Sequence, residues 1–190
     1  VDFQDDRVLS AIDAVNQKAT FTKPDGSKAS QEYDFIHVVP PMSAPDAIHN
    51  SELVWKSGKM AGNWVEVDQY HMQHLRYPEI FAIGDVAGTP FGKTAASVKI
   101  QAPVVEANVL SFLAGKELLA NYNGYTSCPL ITATGKAMLA EFGYGGKLLP
   151  SFPFISPKEE SWVVWLMKEK MLQPALRHAT WKGLRSYYVY

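Results

Sequence analysis

The sequence predicts an α/β chain that, taken as an isolated fragment, reads as α+β: short antiparallel strands, a strand–loop–helix unit, and a helical tail. Three observations predict it. The first forty residues hold β-branched and aromatic runs cut by Pro and Gly turns. A bulky apolar run at residues 80–83 stops on Gly84-Asp85, and helical patterning resumes after a loop rich in Gly and Pro. Beyond Lys158, Trp, Met and Leu alternate with Lys and Arg.

In chain order, residues 8–15 and 18–22 are expected as strands around a turn at Asn16-Gln17. Pro24-Asp25-Gly26 marks a tight turn. Residues 33–39 (YDFIHVV) are expected as a third strand, closed by Pro40-Pro41, and residues 64–68 as a further one. Next comes the stretch around which the chain is organised, residues 77–94, YPEIFAIGDVAGTPFGKT. Gly84 permits close backbone approach, Asp85 can accept hydroxyl hydrogen bonds, and the helix start offers free N–H groups at a positive dipole end. The helix is expected from Lys93 to about Leu113 or Leu119. Its apolar face is read as Ala95, Ala96, Val98, Ile100, Ala102 and Val105, with a kink at Pro103 and a stop at Gly115.

Downstream, residues 125–132 and 136–144 read as strands, with Pro129 biasing Cys128 towards extended backbone. Gly143, Gly145 and Gly146 form a turn. Phe152-Pro153-Phe154 is a stiff aromatic segment. The tail helix is expected to break at Pro174, and a second segment, residues 175–185, carries Arg177, His178, Lys182 and Arg185 largely on one side.

Composition sets limits. At a formal charge of −1, the 190 residues give no sign of a nucleic-acid partner. One cysteine, Cys128, allows neither an intrachain disulfide nor a thiolate-rich metal site. The five histidines do not cluster as ligands, so no metal is expected; His71 and His74 read as ordinary surface or strand residues. No apolar run reaches the roughly 18–20 residues of a membrane span, and no signal peptide opens the chain. It begins at Val1 inside a strand-like pattern, as a fragment would. Residues 158–190 hold six Lys and Arg against three Asp and Glu, with three of the five tryptophans. That mixture suits headgroup depth at a membrane surface, against the plainer reading of a terminal helix packed on its own core.

Two chemistries fit residues 84–94. AGTPFGKT ends like a nucleotide-triphosphate loop, yet Ala87 stands where the first glycine belongs, and Pro90 has no N–H to donate. The other is a flavin contact, with Asp85 on a ribityl or ribose hydroxyl and the helix start facing the ring. A non-catalytic membrane-associated binding module is a third reading, supported by the tail alone.

Residues 77–85 (YPEIFAIGD) and the following GKTAASVKIQAPVVEANV resemble the second flavin-binding segment of the pyridine-nucleotide-disulfide oxidoreductase superfamily. NGYTSCPLITATGKAMLAEFGY, SFPF and WLMK resemble more narrowly the sulfide:quinone oxidoreductase family, in the branch that includes the mitochondrial enzyme. HVVPPMSAPD and QHLRYPEIFAIGD also fit that branch.

The resemblance implies the C-terminal part of a flavoprotein with two dinucleotide-binding domains. Residues 1–45 would be a remnant of the NAD-like domain, 46–121 the end of the FAD-binding domain, and 122–190 a C-terminal domain. It implies FAD as cofactor, sulfide and a membrane quinone as substrates, and peripheral, monotopic association with a bacterial cytoplasmic or mitochondrial inner membrane. Homo-oligomers are compatible with it.

By position, Cys128 would be one of a redox pair. Gly84, Asp85, Lys93 and Thr94 would contact FAD, with Lys93 near the N1/O2 edge of the ring. Phe152, Phe154 and Lys168 would line the quinone pocket. The G-x-G-x-x-G unit that cradles the FAD pyrophosphate and the partner cysteine are absent from this sequence. The chain alone is therefore expected neither to hold FAD tightly nor to turn over sulfide.

Overall fold

The structure, a computed structural model, describes residues 4–172, 174 and 175. The chain forms two compact units, Val1–Met42 and Ser43–Tyr190, which together make an α+β fold of small antiparallel sheets and a few helices.

The first unit is a meander of β1 (Val8–Asp13), β2 (Lys18–Thr22) and β3 (Lys28–Glu32) in the order β1-β2-β3. Its second turn is closed by the Gly26 N–H on the Lys23 carbonyl and by the Asp25 carboxylate, which accepts the Ser27 N–H at 2.8 Å. That turn sets Thr22 opposite Lys28, so the pairing runs out at Lys18↔Glu32. The third strand is therefore Lys28–Glu32, not residues 33–39. The Tyr33 N–H still reaches the Gln17 carbonyl at 3.0 Å, but nothing in β2 remains for Phe35 or Val39 to pair with, and both stay exposed. Turn geometry overrides β-propensity here.

The second unit begins with a short helix, α1 (Asp46–His49), and a knot of loops. Residues 64–68 and 80–83, expected as strands, take part only through single bridges: Val54↔Val65, Val65↔Ala87, Val67↔His74 and Gln73↔Phe81. Each partner comes from a different loop, so no ladder extends. Val65, Val67, Met72, Ala82, Ala87 and Tyr122 form the core beneath them. His74 is buried rather than an ordinary surface residue. Its Nδ1 accepts the Arg76 and Tyr77 N–H groups, which leaves Nε2 to donate to the Leu53 carbonyl at 3.0 Å. Among the described residues, no group of His, Cys, Asp and Glu could hold a metal ion.

Helix α2 (Ala95–Leu113) keeps Pro103 within its length and ends as predicted near Gly115. Gly115 takes φ +65°, and the Gly115 and Lys116 N–H groups return to the Phe112 and Ser111 carbonyls, a glycine-closed C-cap. Of the expected apolar stripe, Ile100 and Val105 pack half-buried against the first core. The fully buried residues are Ser97, Gln101 and Asn108, while Ala95 and Ala102 are exposed. These polar side chains are buried because the loops around them need partners. Asn108 donates to the His71 and Ala120 carbonyls and accepts the Ala120 N–H.

The hairpin of β4 (Thr126–Ala133) and β5 (Lys136–Phe142) follows, then α3 (Trp162–Leu166), which continues as a π-helical turn over Met167–Leu172. Ala137, Leu139, Ile155 and Val164 make a second core between hairpin and helix. The π-helical turn ends at Leu172, and Pro174 and Ala175 have helical backbone. The segment carrying Arg177, His178, Lys182 and Arg185 lies outside the described residues.

Replacing Asn108 by Leu keeps volume but strands three backbone groups. The variant is expected to lose about 2–4 kcal/mol of unfolding free energy in urea; a loss within experimental error would remove Asn108 from its bracing role.

Candidate functional site

The site grows from a turn. Residues up to Ile83 are extended, then Gly84–Val86 form one 3₁₀ turn with Gly84 at φ +71°. A side chain at 84 would be strained by that φ and would also press on Val98 at 3.3 Å. The Gly84 N–H donates to Gln101 Oε1 at 2.7 Å, and Gln101 Nε2 donates to the Gly92 carbonyl at 3.2 Å. One buried amide thus grips both ends of the loop. A Cβ at Gly92 would lie 2.6 Å from Gln101 Nε2 and 2.7 Å from the Tyr122 hydroxyl, so close packing explains this glycine without any phosphate.

Asp85 is exposed beside the loop. Lys93 folds back over it. Its ammonium donates to the Asp85 carbonyl and, at 2.8 Å, to the Ala87 carbonyl, and lies 3.7 Å from the centre of the Trp64 ring. Two of its three N–H donors are engaged and one remains. Burial pushes Lys93 down to about 8, with the Asp85 charge pulling the other way. The N–H groups of Ala87, Gly88 and Thr89 all end on backbone carbonyls, those of Gly84, Val65 and Ala87. These three N–H groups are not free to cradle a phosphate.

Thr94 caps α2, its Oγ1 accepting the Ser97 N–H at 3.2 Å. The same oxygen lies 3.2 Å from Thr126 Oγ1 at the start of β4. Thr126 and Cys128 are two apart on one strand, so they share a sheet face, roughly 7 Å apart along it. The hydrogen bond therefore sets the Cys128 face of β4 against the start of α2. Cys128 is exposed, opposite Ala140. Lys168 reaches the neighbouring Pro129 carbonyl at 2.6 Å. Phe152 is half-buried against the second core, Phe154 is 77% exposed, and their rings lie 5.8 Å apart.

Gly84, Asp85, Lys93 and Thr94 thus occupy one loop, Lys168 reaches the β4 residue that follows Cys128, and the two phenylalanines sit on a separate segment. Sequence reasoning missed Gln101, Asn108, Tyr122 and Glu141. Ser97, Gln101 and Asn108 share a helical face by their spacing, and that polar stripe was the available signal.

No family model matches the chain. The mitochondrial sulfide:quinone oxidoreductase of Dictyostelium discoideum is 38% identical over 93% of this chain and 37% of its own length. That of Schizosaccharomyces pombe is 44% identical over 76% of this chain and 30% of its own length. The chain belongs to the sulfide:quinone oxidoreductase family. It spans little more than a third of the Dictyostelium relative and less of the other. A Flammulina velutipes protein named an FAD-dependent oxidoreductase is 31% identical over 57% of the chain and 31% of its own length. Among solved structures, a chain from the cryo-EM structure of the Tetrahymena thermophila mitochondrial ATP synthase F1Fo composite tetramer superposes with a TM-score of 0.78. It is 25% identical, covering 94% of this chain and 42% of that one.

The loop's chemistry fits the flavin that the family implies: an exposed carboxylate for a hydroxyl, a glycine that admits close approach, and one spare ammonium donor. A Lys93 held below its ordinary value binds fewer protons folded than unfolded between about pH 8 and 10. Folding stability attributable to it therefore rises with pH across that window. Tyr122, Tyr125 and Tyr144, all pushed up by burial, work the opposite way above about pH 10. Comparing urea unfolding of the native chain and Lys93→Met from pH 7.5 to 9.5, the native chain is expected to gain on the variant as pH rises. A flat difference would place Lys93 in water.

Proposed function

We propose that this chain is the C-terminal share of an FAD-dependent enzyme that oxidises sulfide and reduces a membrane quinone. The names of its relatives support the chemistry, and the Thr94–Thr126 hydrogen bond carries the assignment to residues, because it joins the thiol strand to the flavin loop. In this reading, residues 1–45 belong to an NAD-like domain, 46–121 to the FAD domain, and 122–190 to the C-terminal domain.

Asp85 holds a hydroxyl of the cofactor, the Gly84 backbone lies against it, and Thr94 fixes the start of α2. Lys93 offers its remaining N–H to the electron-rich edge of the ring. FAD, when bound, supplies two-electron transfer between thiol chemistry and the quinone.

Cys128 works with a second cysteine from outside this chain. An exposed thiol can be reached by hydrosulfide, as a redox cysteine must be. Hydrosulfide would open the disulfide between Cys128 and that second cysteine, leaving one as a persulfide and the other as a thiol. The two electrons so released from the sulfide sulfur end, with two protons, on the quinone as a quinol. Phe152 and Phe154 flank the quinone ring, and Lys168 lies near its polar end.

Among the described residues, no helix is long and apolar enough to cross a membrane. Exposed Trp162, Val163 and Met171 near Lys168 and Lys170 favour docking on a membrane surface, and the relatives' names favour that of a mitochondrion.

The test is Cys128→Ser in a protein that includes the portion present in the relatives and absent here. Sulfide-dependent quinone reduction is expected to vanish with flavin content unchanged; retained turnover would exclude Cys128. The 190-residue chain alone is expected to purify without stoichiometric flavin absorbance, and finding such absorbance would refute the division of labour between the two portions.

A further inference from the structure

Glu141 is a buried carboxylate to which the proposed chemistry assigns no task. It lies on β5, 2% exposed, opposite Ser127 and on the sheet face away from Cys128. Three donors converge on it. The Tyr125 and Ser151 hydroxyls both donate to Oε1, and the Ser151 N–H donates to Oε2 at 2.8 Å. The two hydroxyls are themselves 3.0 Å apart.

None of the ion pairs among the described residues includes Glu141. A buried carboxylate balanced by hydrogen bonds alone is a poor source of stability, and an apolar residue of similar size commonly does better. Its value lies in what it holds. Among the described residues, the hydrogen bonds that Ser151 makes to the hairpin end on Glu141 and Tyr125, while the Phe152 carbonyl accepts the Ile155 N–H at 3.2 Å. The next residues are Phe152, Pro153 and Phe154, of which the last faces solvent.

We propose that Glu141 is a positioning residue for the aromatic segment. It fastens residues 151–154 to the β4–β5 hairpin and so fixes Phe152 and Phe154 relative to the strand that carries Cys128. The ligand in this proposal, a planar quinone ring, rests on the function proposed above; the anchor itself rests on the hydrogen bonds alone.

The chemistry selects a sharp variant. Glu141→Gln keeps shape but has one oxygen for donors that used two, so the Ser151 N–H or a hydroxyl must face an amide NH₂. Ser151→Ala removes a hydroxyl and keeps the N–H bond. Tyr125→Phe leaves both Ser151 bonds in place.

Amide hydrogen exchange in the 190-residue chain is expected to rise about tenfold at residues 151–155 in Glu141→Gln. It should rise less in Ser151→Ala, least in Tyr125→Phe, and not at all in α2. A benzoquinone carrying a decyl chain, followed by quenching of tryptophan fluorescence, should bind about tenfold more weakly to Glu141→Gln in parallel.

Unchanged exchange at 151–155 would overturn the anchor. Increased exchange with unchanged quinone binding would overturn its part in the site. A native chain that does not bind the quinone would instead overturn the quinone reading of the phenylalanines, while the exchange series still judges the anchor. If Glu141→Gln does not fold, Ser151→Ala, at an exposed position, carries the same comparison.

Discussion

Hydrogen bonds from one helix face to loop backbone hold the second unit together. With single bridges instead of ladders across residues 54–87, backbone N–H and C=O groups there lack the partners that a sheet would give. Helix α2 supplies them through side chains: Gln101 for Gly84 and Gly92, Asn108 for His71 and Ala120. Each is fully buried and fully engaged, so each costs little where it stands and much if removed. The path continues beyond the loop. Gly92 packs on Tyr122, whose hydroxyl donates to the Tyr125 carbonyl at 2.6 Å, one residue before β4 begins. The loop and the thiol strand are thus braced through the same few side chains.

Lys93 extends the same logic to charge. An ammonium drawn into a loop loses hydration, and that loss pushes its pKa down. Two carbonyls and the face of Trp64 replace part of the lost water. The cation is consequently held in place before any ligand arrives. A preorganised charge of this kind needs no reorganisation when negative charge develops nearby, which is where electrostatic stabilisation is most effective.

The sequence made the punctuation legible and the partnerships much less so. Gly115, the Asn16-Gln17 turn, Pro129 and the hairpin strands act locally, through φ, a missing N–H or alternation, and residue identity suffices to place them. The strand at residues 33–39 was misread because register comes from a turn seven residues earlier, at Asp25-Gly26, and not from local apolarity. The face of α2 is legible only in part, through Ile100 and Val105, for a different reason. Apolar counting treats Gln101 and Asn108 as solvent residues, yet their burial is set by carbonyls and N–H groups from loops far away in sequence. Within the site, Gly84, Asp85, Lys93 and Thr94 could be named because they are contiguous. Glu141 could not, since its importance depends on Ser151 folding back to meet it.

The position of Cys128 follows from the edge it occupies. Among the described residues, β4 pairs only with β5, and a proline in an edge strand can turn its missing N–H outward at no cost to the ladder. The Pro129 carbonyl then points outward as well, and a bare edge carbonyl wants a donor. Lys168 provides it from the π-helical turn after α3. The lysine therefore ties the C-terminal helix to the residue beside the thiol. The exposed surface of α3 and the thiol on β4 consequently belong to one mechanical piece, which Val164 and Leu139 stiffen from beneath. If the tail docks on lipid, the distance from the bilayer to the thiol strand is set by packing within this piece, not by a flexible linker.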